Sequence, residues 1–137
     1  MDILQLHHIS LPATDLERSC RFYREVLGLA EIPRPPFPFP GTWFRLGDRE
    51  LHLIGGEGAV SQGGIGTDSR QLHLAIRVAS FGRALERLRA LGYREDALPT
   101  DPMHVMVLRQ PLTGYPQLYL NDPDRHLIEI NAERLDD

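Results

Sequence analysis

Four residues of this sequence have side chains suited to holding a metal ion, and they fall at matched places in two similar stretches. His8 and His73 each sit in an apolar run that leads into a segment of helical periodicity. His52 and Glu129 each sit in a later alternating run, flanked by Leu51 and Leu53 and by Ile128 and Ile130. Successive side chains of a strand point to opposite faces, so each polar group faces away from its apolar neighbours. If those neighbours pack under helices, the four polar groups face a cleft, and a pseudo-twofold relation between the halves brings them together. Three imidazoles and a carboxylate suit a divalent ion such as Zn, Fe, Ni, Co or Mn. A carboxylate in an apolar strand is costly to bury alone, and a metal ion offsets that cost.

The elements that must position these residues are legible from periodicity. Residues 15–27 place Leu16, Cys20, Tyr23 and Leu27 on one helical stripe, with Thr14 or Asp15 as cap and Gly28 as stop. Residues 80–91 repeat the pattern with Leu85, Leu88 and Leu91, capped by Ser80 and ended by Gly92. Strands are expected over 3–11 and 71–78, each leading into a helix. Residues 42–46 and 50–54, joined by Gly47-Asp48, read as a hairpin, as do 117–121 and 126–131; 104–109 is a further strand. The stretch 33–40 holds five prolines (33, 35, 36, 38 and 40) and is extended chain or loop. The Gly-rich stretch 55–67 reads as a mobile loop.

The order strand, helix, several strands then occurs twice. HISLPATDLERSCRFYREVLGL (8–29) lies over HLAIRVASFGRALERLRALGY (73–93), and ELHLIGGE (50–57) over LIEINAE (127–133). This is an internal duplication of a βαβββ unit within one domain of 137 residues: repeat 1 about 1–57, linker about 58–69, repeat 2 about 70–133.

Composition narrows the function classes. At 42% hydrophobic and 25% charged residues the chain is that of a soluble globular protein. No apolar run approaches the ~20 residues of a membrane helix, and the start does not read as a signal peptide. The net charge is −4, and the 15 basic residues, all arginine, are scattered, which argues against a nucleic-acid partner. One cysteine, Cys20, excludes an internal disulfide framework and points to a reducing cytoplasm. An enzyme or binder of a small molecule remains.

Three stretches carry a family resemblance. LHHISLPATDLERSCRFYREVLGL (6–29) resembles the opening of vicinal oxygen chelate proteins, the glyoxalase/bleomycin-resistance/dioxygenase superfamily. QLHLAIRV (71–78) resembles the opening of their second repeat, and LNDPDRHLIEIN (120–131) their closing strand pair. The resemblance implies an α+β fold: two tandem βαβββ modules forming a curled, mixed-sheet half-barrel around a metal ion, often in a homodimer. His8, His73 and Glu129 match the usual ligands, and His52 falls where glyoxalase I-like members place a fourth. Two departures stand out. Arg125 replaces the usual turn glycine, which strains the loop if that position needs a positive φ. His52 replaces an acidic ligand, which removes one candidate catalytic carboxylate and leaves the metal a stronger Lewis acid.

The reading of function is a divalent-metal-dependent, glyoxalase-like isomerase, lyase or epimerase. The metal polarises a carbonyl and stabilises an enolate or enediolate. Glu129 serves as ligand and general base, and His52 assists on the other face of the substrate. The first alternative is an Fe(II) extradiol-type dioxygenase using only His8, His73 and Glu129, because dioxygen and a diol need three open positions. The second is a metal-free drug-binding resistance protein. Among the other residues, His7 is structural, His104 and His126 are solvated or line a pocket mouth, and Cys20 is a buried small hydrophobe. Phe37, Phe39 and Trp43 form either an aromatic pocket wall or a barrel-edge cover, and Tyr119 has no evident role.

Overall fold

The computed structural model describes residues 1–59 and 66–136. The chain forms two compact units, Met1–Gln62 and Gly63–Asp137. Residues 60–65 of the Gly-rich stretch lie outside the described residues.

The first unit runs β1 (His8–Pro12), α1 (Leu16–Arg21), β2 (Glu31–Ile32), β3 (Gly41–Leu46) and β4 (Arg49–Ile54). Its sheet has the order β1-β4-β3-β2, with β1 parallel to β4 and the other pairs antiparallel. The second unit runs β5 (His73–Arg77), α2 (Phe81–Ala90), β6 (Met106–Leu108), β7 (Gln117–Asn121) and β8 (Leu127–Asn131). Its order is β5-β8-β7-β6, again with the first and last strands parallel. A parallel pair needs a crossover, which the helix provides. The same strand order in both units bears out the duplicated βαβββ plan.

Local chemistry sets the element ends. Asp15 Oδ1 accepts from the Arg18 N–H at 3.0 Å and Ser80 Oγ from the Arg83 N–H at 3.1 Å, each satisfying an orphan donor of its helix. Gly28 (φ 71°) and Gly92 (φ 95°) take the left-handed conformation that ends the helices. Gly47 (φ 61°) makes the two-residue turn between β3 and β4. Tyr23, Phe44, Leu51 and Leu53 form the core of the first unit; Phe81, Leu85, Leu88, Leu118, Leu120, Ile128 and Ile130 form that of the second. Burying each such side chain contributes about 1.5–3 kcal/mol.

Several expectations are corrected. The first strand starts at His8, not residue 3, because β4 supplies ladder partners only for His8–Pro12; Ile3, Leu4 and Leu6 are exposed. The first helix does not stay α-helical to residue 27: from Phe22 to Val26 it widens to a π-helix, closed by the Leu27 N–H on the Phe22 carbonyl at 3.3 Å. Phe22 and Tyr23 are both buried there, although they are sequence neighbours. Helix α2 stops at Ala90, so Leu91 is 42% exposed and Phe81 takes its place in the apolar stripe. Leu72, expected under the helix, is 94% exposed because β5 begins one residue later. The short strand β2, before the prolines, has too few residues to show a period.

Gly41 opens β3 in a confined place. A Cβ there would lie 2.7 Å from the Leu53 carbonyl oxygen and 2.9 Å from Arg34 Nε. Gly41→Ala should therefore lower stability by about 1–3 kcal/mol. Urea denaturation reads this directly, and an unchanged midpoint would mean that the 33–40 segment yields without cost.

Candidate metal centre

The second unit is built around a buried carboxylate. Glu129 lies in the middle of β8 and is 4% exposed. The antiparallel register sets Tyr119 directly across from it and Gln117 across from Asn131. All four side chains share one face, because residues two apart on a strand point the same way. Glu129 Oε1 accepts from Gln117 Nε2 at 2.9 Å and from Asn131 Nδ2 at 2.7 Å; Oε2 accepts from the Tyr119 hydroxyl at 2.7 Å. Burial pushes the carboxyl upward, but the donors from Asn131, Gln117 and Tyr119 and the charge of His73 outweigh it and hold the group below its ordinary value. Tyr119 is shifted the other way: burial and its bond to Glu129 keep its hydroxyl protonated well above the usual range.

His73 approaches the same carboxylate from β5. Its Nδ1–H donates to the Gln71 carbonyl at 2.8 Å, which leaves Nε2 as the nitrogen facing Glu129 Oε2 at 3.3 Å. In neutral imidazole that nitrogen carries a lone pair. Two acceptors thus confront each other, and a proton or a cation between them removes the conflict. An imidazole nitrogen fixed by a backbone carbonyl on its far side is also how proteins orient a metal-binding histidine. This pair fits a divalent ion.

The first unit holds its two histidines differently. His52, on β4, is 7% exposed and lies between two rings: Trp43 at 3.9 Å and 3° to its plane, and His8 at 4.2 Å and 15°. Trp43 is its direct antiparallel partner on β3. His52 Nε2 donates to Glu50 Oε2 at 2.8 Å. The same bond holds the Glu50 carboxyl below its ordinary value, against partial burial and with help from the charges of His52, His7 and Arg45. His8 is exposed, and its Nδ1 shares a hydrogen bond of 2.9 Å with His7 Nδ1. Parallel rings aim their in-plane lone pairs side by side, so joint coordination by His8 and His52 requires one ring to turn.

The candidate ligands are therefore gathered in pairs, His8 with His52 and His73 with Glu129. Among the described residues no group of three or more His, Cys, Asp or Glu side chains is gathered to hold a metal ion.

The sequence matches the Glyoxalase/Bleomycin resistance protein/Dioxygenase superfamily over residues 5–130. The chain belongs to that superfamily. Solved structures repeat its fold. A putative glyoxalase family protein from Bacillus anthracis is similar with a TM-score of 0.72 at 22% identity, covering 96% of this chain and 97% of that one. Lactoylglutathione lyase from Agrobacterium tumefaciens gives 0.67 at 20% identity over 96% of each chain. The fosfomycin resistance protein FosX from Listeria monocytogenes gives 0.66 at 22% identity over 99% of this chain and 96% of that one. A variant of that FosX was solved with Mn(II) and a dihydroxypropylphosphonic acid. No curated protein matches the chain. No helix among the described residues is long and apolar enough to cross a membrane.

Against the superfamily pattern, Arg125 stands at φ 68°, the one positive-φ non-glycine among the described residues, so the strain expected of this replacement is present. Glu50 restores a carboxylate beside His52, two residues from where the pattern has one. Sequence reading missed Glu50 and the donors to Glu129. Their signal was strand parity: Glu50 with His52, and Gln117 and Tyr119 opposite Asn131 and Glu129. His104 and His126 are corrected. They are not solvated: His104 is 8% exposed, and the His126 side chain is 9% exposed with Nδ1 donating to Asp122 Oδ2 at 2.9 Å. Cys20 is buried as expected.

Tyr119→Phe keeps the ring and removes one donor to an ionised group, so it should cost about 1.5–3 kcal/mol at pH 7. Because the folded state lowers the Glu129 pKa below 4.5, the stabilisation is present above that value and is lost as pH falls through the folded pKa. Denaturation curves at neutral and acid pH should show the gap to wild type closing in acid. A gap of equal size at both would assign the loss to packing.

Proposed function

We propose that this protein is a divalent-metal-dependent enzyme of the glyoxalase type, an isomerase, lyase or epimerase that moves a proton beside a chelated carbonyl of a small molecule. The observation that carries this reading is the His73–Glu129 pair, an imidazole nitrogen and a carboxylate oxygen 3.3 Å apart with the far side of the imidazole bonded to a carbonyl. His73 and Glu129 from the second unit, with His8 and His52 from the first, make up the proposed ligand set. The ion is one of Zn, Fe, Ni, Co or Mn; Mn(II) occurs in the FosX structure. When bound, it would supply Lewis-acid stabilisation of the negative charge that develops on the substrate oxygens.

The chain's own residues divide the remaining work. Tyr119, Gln117 and Asn131 hold the Glu129 carboxylate ionised and oriented. As a general base, Glu129 would have to leave three donors, so its environment favours the ligand role. Glu50 is a second carboxylate beside His52 and has fewer partners. It is the better-placed group to exchange a proton through His52, to which it already bonds at 2.8 Å. A cytoplasmic homodimer belongs to the same reading; the single buried Cys20 suits a reducing compartment.

A second reading is the Fe(II) extradiol-type dioxygenase with His8, His73 and Glu129 as its triad. The enclosure of His52 between two rings, with Nε2 tied to Glu50, favours it, because such an imidazole resists turning toward a metal. A metal-free drug-binding role is the third outcome of the metal measurement, with a proton on His73 balancing Glu129.

Protein purified without chelator should carry about one divalent ion per chain, and His52→Ala should bind it at least tenfold more weakly. Equal retention by His52→Ala would instead select the three-ligand oxygenase reading, and absence of metal after reconstitution would refute both. Glu129→Gln should lose metal together with turnover. Full metal occupancy with turnover lost would instead make Glu129 the base.

A further inference from the structure

A file of aromatic rings runs from solvent to the histidine pair of the first unit. Phe37 and Phe39 are 43% and 42% exposed, and their rings stack at 5.3 Å and 16°. Phe37 meets Trp43 at 6.1 Å; Trp43 lies parallel to His52 at 3.9 Å, and His52 to His8 at 4.2 Å. Two large rings left this exposed forgo burial energy, yet their placement is fixed. The Arg34 guanidinium carbon stands 5.0 Å from both Phe37 and Phe39 ring centroids, and Nη2 donates to the Phe39 carbonyl at 2.9 Å. Gly41 leaves the space that Arg34 occupies. Prolines 33, 35, 36, 38 and 40 restrict the backbone between them. The arrangement is thus organised before any ligand arrives, which lowers the entropic cost of binding.

We propose that this aromatic file is a specificity surface for the flat, conjugated body of an aromatic substrate whose adjacent oxygens reach the metal-binding histidines. The inference rests on the metal-enzyme reading above and adds the substrate class to it. The chemistry along the file selects that class. Its outer members offer ring faces steadied by one cation, and they are matched by a planar π system stacked against them. Its far members, buried His52 and exposed His8, are the ones with nitrogen lone pairs. An aliphatic α-keto acid satisfies only the histidine end; an aryl α-keto acid satisfies both.

Phenylglyoxylate and pyruvate share the same pair of adjacent oxygens and differ by the ring, so they serve as probes. Calorimetric titration of each into the full chain, metal-loaded and metal-free, should show phenylglyoxylate binding about tenfold more tightly, the worth of roughly one good aromatic pair. Trp43 is the single tryptophan of the chain, so its indole N–H gives one NMR signal, and phenylglyoxylate but not pyruvate should shift it. The double variant Phe37→Leu with Phe39→Leu keeps apolar volume and should erase the preference while pyruvate binding stays unchanged. Equal affinities in the metal-loaded protein, a preference that survives the double variant, or no phenylglyoxylate binding in either form would overturn the proposal. A ring preference that persists while metal loading alters neither affinity would refute the metal reading and leave the aromatic surface standing.

Discussion

Burying the Glu129 carboxylate is the constraint around which the second unit is arranged. A lone ionised carboxyl at 4% exposure would be costly enough to destabilise the sheet or to take up a proton. Three donors from two adjacent strands prevent that, and they arrive because the β7–β8 register is fixed. A slip of one residue would turn Gln117 and Tyr119 to the other face and put Leu118 opposite the charge. The apolar set Leu118, Leu120, Ile128 and Ile130 on the opposite face resists such a slip, so the same packing that builds the core also holds the carboxylate network in place.

The first unit meets a similar need with different chemistry. Its buried polar group at the equivalent position, His52, needs fewer donors than a carboxylate, and ring stacking supplies much of its surroundings. Trp43 and His8 cover its two faces and Glu50 takes its Nε2–H. The duplicated fold thus carries two unlike polar clusters, one in each unit. One is anionic and rich in donors; the other is aromatic, with its carboxylate nearer to solvent.

The order of elements along the chain, the helix caps and the candidacy of His8, His52, His73 and Glu129 could be read from the sequence because each depends on local spacing or on the repeat. Alternation along ELHLI and LIEIN places the polar residue of each strand without any tertiary knowledge. The same parity contained Glu50, Gln117 and Tyr119, but their partners lie on other strands or depend on rotamers, and one-dimensional periodicity carries neither. His104 and His126 were misread for a related reason: proximity to a turn does not reveal that the chain covers it, and Asp122 buries His126 with a hydrogen bond.

The sequence by itself determined the superfamily and the two βαβββ units, and it singled out the candidate polar residues, since these follow from hydrophobic period, capping chemistry, motif and internal repetition. Only the tertiary structure decided how those residues are held. It set the ionised, donor-saturated state of Glu129, the nitrogen that His73 presents, the enclosure of His52 and the left-handed strain at Arg125. Each of these is a matter of angle and distance between segments far apart in the chain, which the hydrogen-bond register and side-chain packing fix only once the sheets have formed.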